Sequence, residues 1–250
     1  MIGANIVHAT IQARMTSTRL PGKVLMPAAG KPLLLHMIER LSRVTVIDQI
    51  IIATTVNPED DPVAELARQA GVGLYRGSEN DVLSRVLDAT IHHGTDILVQ
   101  TTGDCPLIDS EIIGQVIDHY VAAGCDYVSN TLTRSYPIGM DTQVYRRSVL
   151  EDVATRTQDP VDREHVSAYI YHHPERYSLS NFHAPEALTD PKLRLTLDTS
   201  EDYDVIRRVF DALYPNNPAF TLGDILSLLR LHPEWRAIND HVEHKWLRRP

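Results

Sequence analysis

Across its first 130 residues the chain alternates short apolar runs with amphipathic stretches, and this alternation restricts the fold more than any other feature. Strand-like runs fall at residues 6–11, 49–54, 73–75, 96–101 and 126–129, and helical patterns at 33–44, 62–70, 81–92 and 110–123. Strands joined by helix-length crossovers pair in parallel, so the expected architecture is α/β, a mostly parallel mixed sheet with helices on both faces. Asp60-Asp61-Pro62 and Asp109-Ser110 read as helix starts, and Gly71, Gly94 and Gly124 as helix stops. Beyond residue 130 the alternation breaks. Residues 136–139 read as a loop, 141–145 as a strand, 148–155 and 161–171 as helices, and 177–182 and 193–197 as returning strands. Residues 201–213 and 222–231 are helical, ahead of a basic tail at 245–249. A chain of 250 residues with 43% hydrophobic content can bury one large core. A single domain is expected, its first part spanning 1–130, with 131–250 completing the sheet and adding a small sub-lobe and C-terminal helices.

Charge is unevenly distributed. The chain carries a net −9, which disfavours a nucleic-acid polymer as partner, yet no acid precedes Glu39, and Arg14, Arg19, Lys23 and Lys31 stand before it. Three of these cations lie in Gln12-Ala13-Arg14-Met15-Thr16-Ser17-Thr18-Arg19-Leu20-Pro21-Gly22-Lys23, directly after the first apolar run. A cationic loop leaving the carboxyl end of a strand suits a small anion such as a polyphosphate. Arg14 and Arg19 can each fork two oxygens, and Lys23 adds a point charge. The bland alternative is a solvated basic turn. Cys105 and Cys125 supply no disulfide framework, no signal pattern opens the chain, and no apolar run approaches the roughly 20 residues that span a bilayer. A cytoplasmic protein with no membrane partner is expected.

Asp104 and Asp198 each follow an expected strand, so both fall on the edge that carries the cationic loop. Paired carboxylates there suit a hard, oxygen-preferring cation such as Mg²⁺. A single Asp at a strand end also caps helices, and Asp198 before Thr199-Ser200-Glu201 could do only that. Asp81 and Arg85, in Gly77-Ser78-Glu79-Asn80-Asp81-Val82-Leu83-Ser84-Arg85, lie in a polar segment entering a helix and are candidates for ligand contacts. A helix cap with an i,i+4 ion pair explains them equally. Cys105 beside Asp104 has no base at a recognisable spacing, which argues against a nucleophilic thiol.

The string R-x-x-S-x-R-L-P-G-K with Gly30-Lys31-Pro32 resembles the signature of the cytidylyltransferases that activate sugar acids, including the 3-deoxy-manno-octulosonate and acylneuraminate enzymes. The resemblance is closest to the spore coat polysaccharide F branch. It continues through Thr102-Gly103-Asp104-Cys105-Pro106-Leu107-Ile108-Asp109, Tyr136-Pro137-Ile138-Gly139-Met140-Asp141, Asp162-Arg163-Glu164-His165-Val166 and Leu197-Asp198-Thr199-Ser200-Glu201-Asp202. It implies a Rossmann-like nucleotidyltransferase (nucleotide-diphospho-sugar transferase) fold and a homodimer. The implied reaction is Mg²⁺-dependent transfer of CMP from CTP to a small hydroxylated acceptor, with release of pyrophosphate. By the same resemblance Ala13, Arg14, Ser17, Arg19, Lys23, Asp81, Arg85 and Thr102 bind the nucleotide, and Lys23, Arg19, Asp104 and Asp198 are catalytic, the two aspartates holding metal. Tyr136, Asp141, Arg163, Glu164 and His165 contact the acceptor, with His165 expected inside a helix. The chain departs from the branch in having Gln143 where Glu is usual, and from the octulosonate enzymes in having Thr102 in place of Gln. Acceptors within this implication are a sugar acid or a phosphate- or phosphonate-bearing molecule. The rivals are a glycosyltransferase on the same fold, whose Asp-x-Asp would be Asp202-Tyr203-Asp204 inside a helix, and a non-catalytic nucleotide-binding module.

Overall fold

The computed structural model describes residue 3 and residues 5–244, so the basic tail at 245–249 lies outside the described residues. In chain order the elements are β1 (Val7–Gln12), β2 (Pro27–Ala28), β3 (Lys31–Pro32), α1 (Leu33–Leu41), β4 (Gln49–Thr55), α2 (Asp61–Gln69), β5 (Gly73–Gly77) and α3 (Val82–His92). Then follow β6 (Ile97–Thr102), α4 (Ser110–Ala123), β7 (Tyr127–Ser129), β8 (Gln143–Arg146), α5 (Arg147–Arg156), α6 (Pro160–His165) and α7 (Ala168–His172). The chain continues through β9 (Leu179–Asn181), α8 (Ser200–Leu213), α9 (Leu222–Leu231) and α10 (Pro233–Arg236).

Seven strands form one sheet in the order β5-β4-β1-β6-β8-β7-β9, and β2 and β3 form a separate two-stranded hairpin. Only β8 runs against its neighbours; every other pairing in the sheet is parallel. Side chains alternate between two buried faces, as a covered sheet requires. Val7, Ala9, Ile11, Ile50, Ile52, Ile97 and Val99 pack with residues of α1, α2, α4, α8 and α9. On the other face Leu98, Tyr127 and Tyr145 pack with α3, α5, Val166 and α7, while Ile51 and Ala53 meet Ala89 of α3. This second cluster joins Val82, Leu83 and Val86 of the first part to Leu150, Val153 and Ile170 of the second, so the two parts share a core.

The strand order places β4 and β5 on one side of β1 and β6 on the other. The crevice outside β1 and β6 is therefore the point where the winding reverses, the position at which open α/β sheets bind ligands. Gln12 at the end of β1 pairs with Thr102 at the end of β6, bringing the loops after these strands side by side. Gly103 makes this approach feasible, because a Cβ there would lie 3.0 Å from the Gln12 carbonyl oxygen and 3.3 Å from the Ala13 Cβ.

Two expected elements differ. Residues 193–197 add no strand to the sheet; their one bridge is Arg194 to Ile138, and the Leu197 amide donates to the Asp104 carbonyl at 2.8 Å. The segment instead crosses the connection between β7 and β8, where Gly139 has φ 106 and a Cβ would meet Leu195 backbone at 2.5 Å. The helix expected at 161–171 is cut in two at Val166, which has φ 54 and ψ −67. The Ser167 amide donates to the His165 carbonyl at 2.6 Å, closing a three-residue turn that a β-branched residue seldom adopts.

Candidate active site

The loop from Ala13 to Gly22 is fastened to the scaffold by carboxylates behind it. Met15 donates its amide to Asp60 at 2.6 Å, and Asp60, buried, also accepts the Thr55 hydroxyl. Asp60 thus serves the loop; it makes no side-chain cap to α2. Glu79 accepts from Thr16 at 2.7 Å, from Asn57 at 2.7 Å and from Arg14 at 3.3 Å. The hydrogen bonds from Thr16 and Asn57, aided by Arg14, hold the Glu79 carboxyl below its usual range. Glu79 lies in the polar segment singled out from sequence, but its role as the loop's anchor depends on partners distant in the chain.

Ahead of the loop is a cavity of about 340 Å³, lined by Gln12, Ala13, Arg14, Ser17, Thr18, Arg19, Lys23, Val24, Val82, Arg85, Thr102, Gly103, Asp104, Glu164, His165 and Asp198. Eleven expected site residues are thereby brought together: Ala13, Arg14, Ser17, Arg19, Lys23, Arg85, Thr102, Asp104, Glu164, His165 and Asp198. The Lys23 ammonium is the centre of charge. It donates to the Leu197 carbonyl at 2.6 Å and to Asp198 Oδ1 at 3.0 Å, and stands 3.8 Å from Asp104 Oδ2. Arg19 pairs with the same Asp198 Oδ1 at 2.9 Å, and Arg194 approaches Oδ2 at 3.5 Å. Burial raises the Asp198 pKa, but Lys23, then Arg19 and Arg194, outweigh it and hold the carboxyl below its usual range.

Asp198 is not the cap of α8. Thr199 is, accepting from the Asp202 amide, while Asp202 completes the capping box. Asp198 is therefore available to the cavity, whereas Asp202, fully buried and hydrogen-bonded on both oxygens, is not. Arg85 turns its guanidinium to the Ser78 and Glu79 carbonyls and lies at the cavity wall. Burial, then Arg14, lowers its pKa. The alternative i,i+4 pairing with Asp81 is not formed: Asp81 caps α3 through the Ser84 amide at 3.0 Å and binds Arg163.

Four expected site residues, Asp81, Tyr136, Asp141 and Arg163, do not line the cavity. Arg163 donates to Asp81 and to the Ser84 hydroxyl at 2.5 Å, tying α6 to the start of α3. Asp141 is held by both terminal nitrogens of Arg134, at 2.7 and 2.8 Å. Tyr136 is buried, stacked on Phe182, with its hydroxyl pKa pushed up to about 12 by burial and then Asp109. Its hydroxyl has no hydrogen-bond partner among the described residues. His165, expected inside a helix, closes the short helix α6 immediately before the Val166 turn. Gln143 accepts the Ser167 hydroxyl at 2.5 Å, so its amide oxygen serves as an acceptor just behind that turn. Cys105 is buried, and burial, then Asp104 and Asp141, push its thiol far above the range in which a thiolate could act.

A cationic loop at the switch point of a mixed α/β sheet, facing two carboxylates, is the arrangement that nucleotidyl transfer requires. The family model described as cytidylyltransferase matches residues 8–223. The chain belongs to this family. Spore coat polysaccharide biosynthesis protein SpsF of Bacillus subtilis is 33% identical over 236 residues, covering 92% of this chain and 96% of that protein. A cytidylyltransferase structure from Leptospira borgpetersenii serovar Hardjo-bovis superposes with a TM-score of 0.86 at 32% identity, covering 96% and 99% of the two chains. A CMP:2-keto-3-deoxy-manno-octonic acid synthetase complexed with CTP shares the fold, with a TM-score of 0.62 at 17% identity over 82% of this chain and 98% of that one. The present cytidylyltransferase is thus an enzyme of the nucleotidyltransferase class with a Rossmann-like fold. No described helix is long and apolar enough to cross a membrane.

Both carboxylates fit a divalent cation. Asp104 Oδ2 and Asp198 Oδ1 converge on one ammonium nitrogen within 3.8 Å, so their charges already point at a common position. Among the described residues no group of three or more His, Cys, Asp or Glu forms a metal cage. Two carboxylates without a cage suit Mg²⁺, which takes one or two carboxylates and completes its shell with water and substrate phosphates.

Proposed function

We propose that this cytidylyltransferase transfers CMP from CTP to a small hydroxylated acceptor, a sugar acid or a phosphate- or phosphonate-bearing molecule, and releases pyrophosphate. The observation that carries the reading is the cavity itself: Arg14, Ser17, Arg19 and Lys23 line it together with Asp104, Asp198, Glu164 and His165, and Arg19 and Lys23 contact Asp198 directly. Arg14, Ser17 and Arg19 bind triphosphate oxygens. Arg19 and Lys23, here neutralised by Asp198, turn to the phosphates when the nucleotide enters, freeing the carboxylates of Asp104 and Asp198 to hold Mg²⁺. Bound there, Mg²⁺ supplies charge neutralisation at the phosphates. Lys23 stabilises the charge that develops on departing pyrophosphate. Arg85 and Thr102, which line the same cavity, are the candidates for contacts to the nucleoside, and His165, with Glu164, takes the proton of the attacking hydroxyl.

Support comes from the CTP bound in the related synthetase structure and from the polysaccharide role in the name of SpsF. The glycosyltransferase rival loses its metal motif, because Asp202 of Asp202-Tyr203-Asp204 is buried in the start of α8. Use of CTP is consistent with the cytoplasmic setting expected from the sequence, and the family resemblance favours a homodimer, which sedimentation at micromolar concentration tests. The deciding experiment is pyrophosphate release from CTP, UTP, ATP and GTP with Mg²⁺ across sugar acids and phosphorylated acceptors. CTP-selective release with one acceptor class is expected; equal use of all four nucleotides overturns the cytidylyl assignment.

A further inference from the structure

We infer that Arg194 and Asp202, which do not line the cavity, are positioning residues that set both the direction and the effective charge of Asp198. The inference rests on the reading above, in which Asp198 holds a divalent cation. Arg194 is 4% exposed and Asp202 fully buried. The Arg194 guanidinium forks onto Asp202, Nε to Oδ1 at 3.1 Å and Nη2 to Oδ2 at 2.9 Å, and the same Nη2 stands 3.5 Å from Asp198 Oδ2. Asp202 in turn accepts the Asp198 amide at 3.0 Å, the Thr199 amide at 3.1 Å and the Asn239 side-chain amide at 2.9 Å. Asp198 is thus gripped twice, by its backbone through Asp202 and by one carboxylate oxygen through Arg194.

The two oxygens of Asp198 have different surroundings. Oδ1 faces Arg19 and Lys23, cations on the loop that phosphate would recruit. Oδ2 faces Arg194, a cation locked in the interior. When phosphate draws Arg19 and Lys23 away, Arg194 still fixes the rotation of the carboxylate. A lone buried guanidinium at this distance would subtract from the attraction of Asp198 for a metal ion. Asp202 cancels that charge, so the pair orients Asp198 without neutralising it. Capping of α8 needs only Thr199 and Asp202 and gives no reason for a guanidinium at Asp198.

The test uses the full chain with Mn²⁺ as the probe, its free concentration followed by electron paramagnetic resonance in the presence of CTP, alongside calorimetric CTP binding without metal. Asp202→Asn keeps an acceptor for the amides but leaves the Arg194 charge uncompensated. Mn²⁺ affinity is expected to fall tenfold or more while metal-free CTP binding holds or tightens. Arg194→Gln should also lower Mn²⁺ affinity, and Arg194→Lys, which cannot fork, should fall between it and the parent. If Arg194→Gln does not fold, Arg194→Lys and Asp202→Asn carry the test. A purely structural role would lower the melting temperature without changing the ratio of the two affinities. Mn²⁺ affinity within twofold of the parent in folded Asp202→Asn and Arg194→Lys, with affinity lost in Asp198→Asn, overturns this inference alone. Unchanged affinity in Asp198→Asn overturns the metal assignment and this inference with it.

Discussion

Each cation of the loop after β1 is matched to a particular carboxylate: Arg14 to Glu79, and Arg19 and Lys23 to Asp198. The pairings differ in consequence. Glu79, itself held by Thr16 and Asn57, anchors Arg14, whereas Asp198 neutralises Arg19 and Lys23, the cations proposed to meet the triphosphate. On the proposed reaction, removing Arg19 or Lys23 would take away charge-assisted contacts that strengthen as pyrophosphate charge develops. Replacement of either by Ala is expected to lower kcat/KM about a hundredfold or more, read in steady-state assays of pyrophosphate release. Unchanged kinetics in both would return the loop to a solvated basic turn. The cations and Asp104 were legible in the sequence because they follow the runs that form β1 and β6, and Asp198 because it follows an apolar run read as a strand, although that run adds none to the sheet. Glu79, Arg194 and Asp202 were not, since their roles come from contacts between segments: Arg14 meets Glu79, 65 positions on, and Arg194 and Asp202 meet beside a segment held against Asp104 by the Leu197 amide.

At the scale of elements, the broken helix at Val166 places Glu164 and His165 at the cavity wall. The segment Glu164-His165-Val166-Ser167-Ala168-Tyr169 contains no Gly or Pro, so periodicity alone continued the helix through it. What holds the unfavourable turn is tertiary: Val166 is fully buried in the second apolar cluster, and Ser167 is hydrogen-bonded to Gln143 of β8. Ser167→Ala and Gln143→Ala should therefore loosen His165. A several-fold or greater drop in kcat with CTP affinity unchanged is expected, and equal losses of CTP affinity would refute a role confined to the acceptor side. Arg163, one position before Glu164, reaches Asp81 and Ser84 on α3. Arg163→Ala then removes a charged, partly buried contact between α6 and α3, worth on the order of 2 kcal/mol, and should appear as a lower melting temperature. An acceptor KM that rises with no change in melting temperature would show that Arg163 reaches the acceptor instead.

For the molecule as a whole, both faces of the sheet bury histidines as neutral groups. His36 stacks on Phe210 at 4.2 Å, with its Nε2 2.7 Å from the Ala28 carbonyl oxygen, on the α1 and α8 face. His8 lies on the α3 face with Nδ1 2.8 Å from the Thr95 hydroxyl oxygen, near His93. Burial lowers the pKa of all three; for His8 the proximity of His93 adds to the effect, and for His93 the proximity of His92 does. Groups whose folded pKa lies below the unfolded value contribute stability that is complete above the unfolded pKa, near 6.5, and is lost as pH falls toward the folded pKa. Between these limits the unfolded chain binds more protons than the folded one, so stability must rise with pH. Melting temperature is accordingly expected to hold between pH 8 and 7 and to decline from about pH 6.5 downward. Asp198 makes no contribution to this decline, because its carboxyl is held below the usual 3.8 and titrates only in stronger acid. His36→Gln keeps a donor for the Ala28 carbonyl but cannot take up a proton, so its melting curve against pH should be shallower than the parent's over the same interval. Parallel curves for the two proteins would remove His36 from the account and leave the acid sensitivity to His8, His93 and His244, whose pKa burial also lowers.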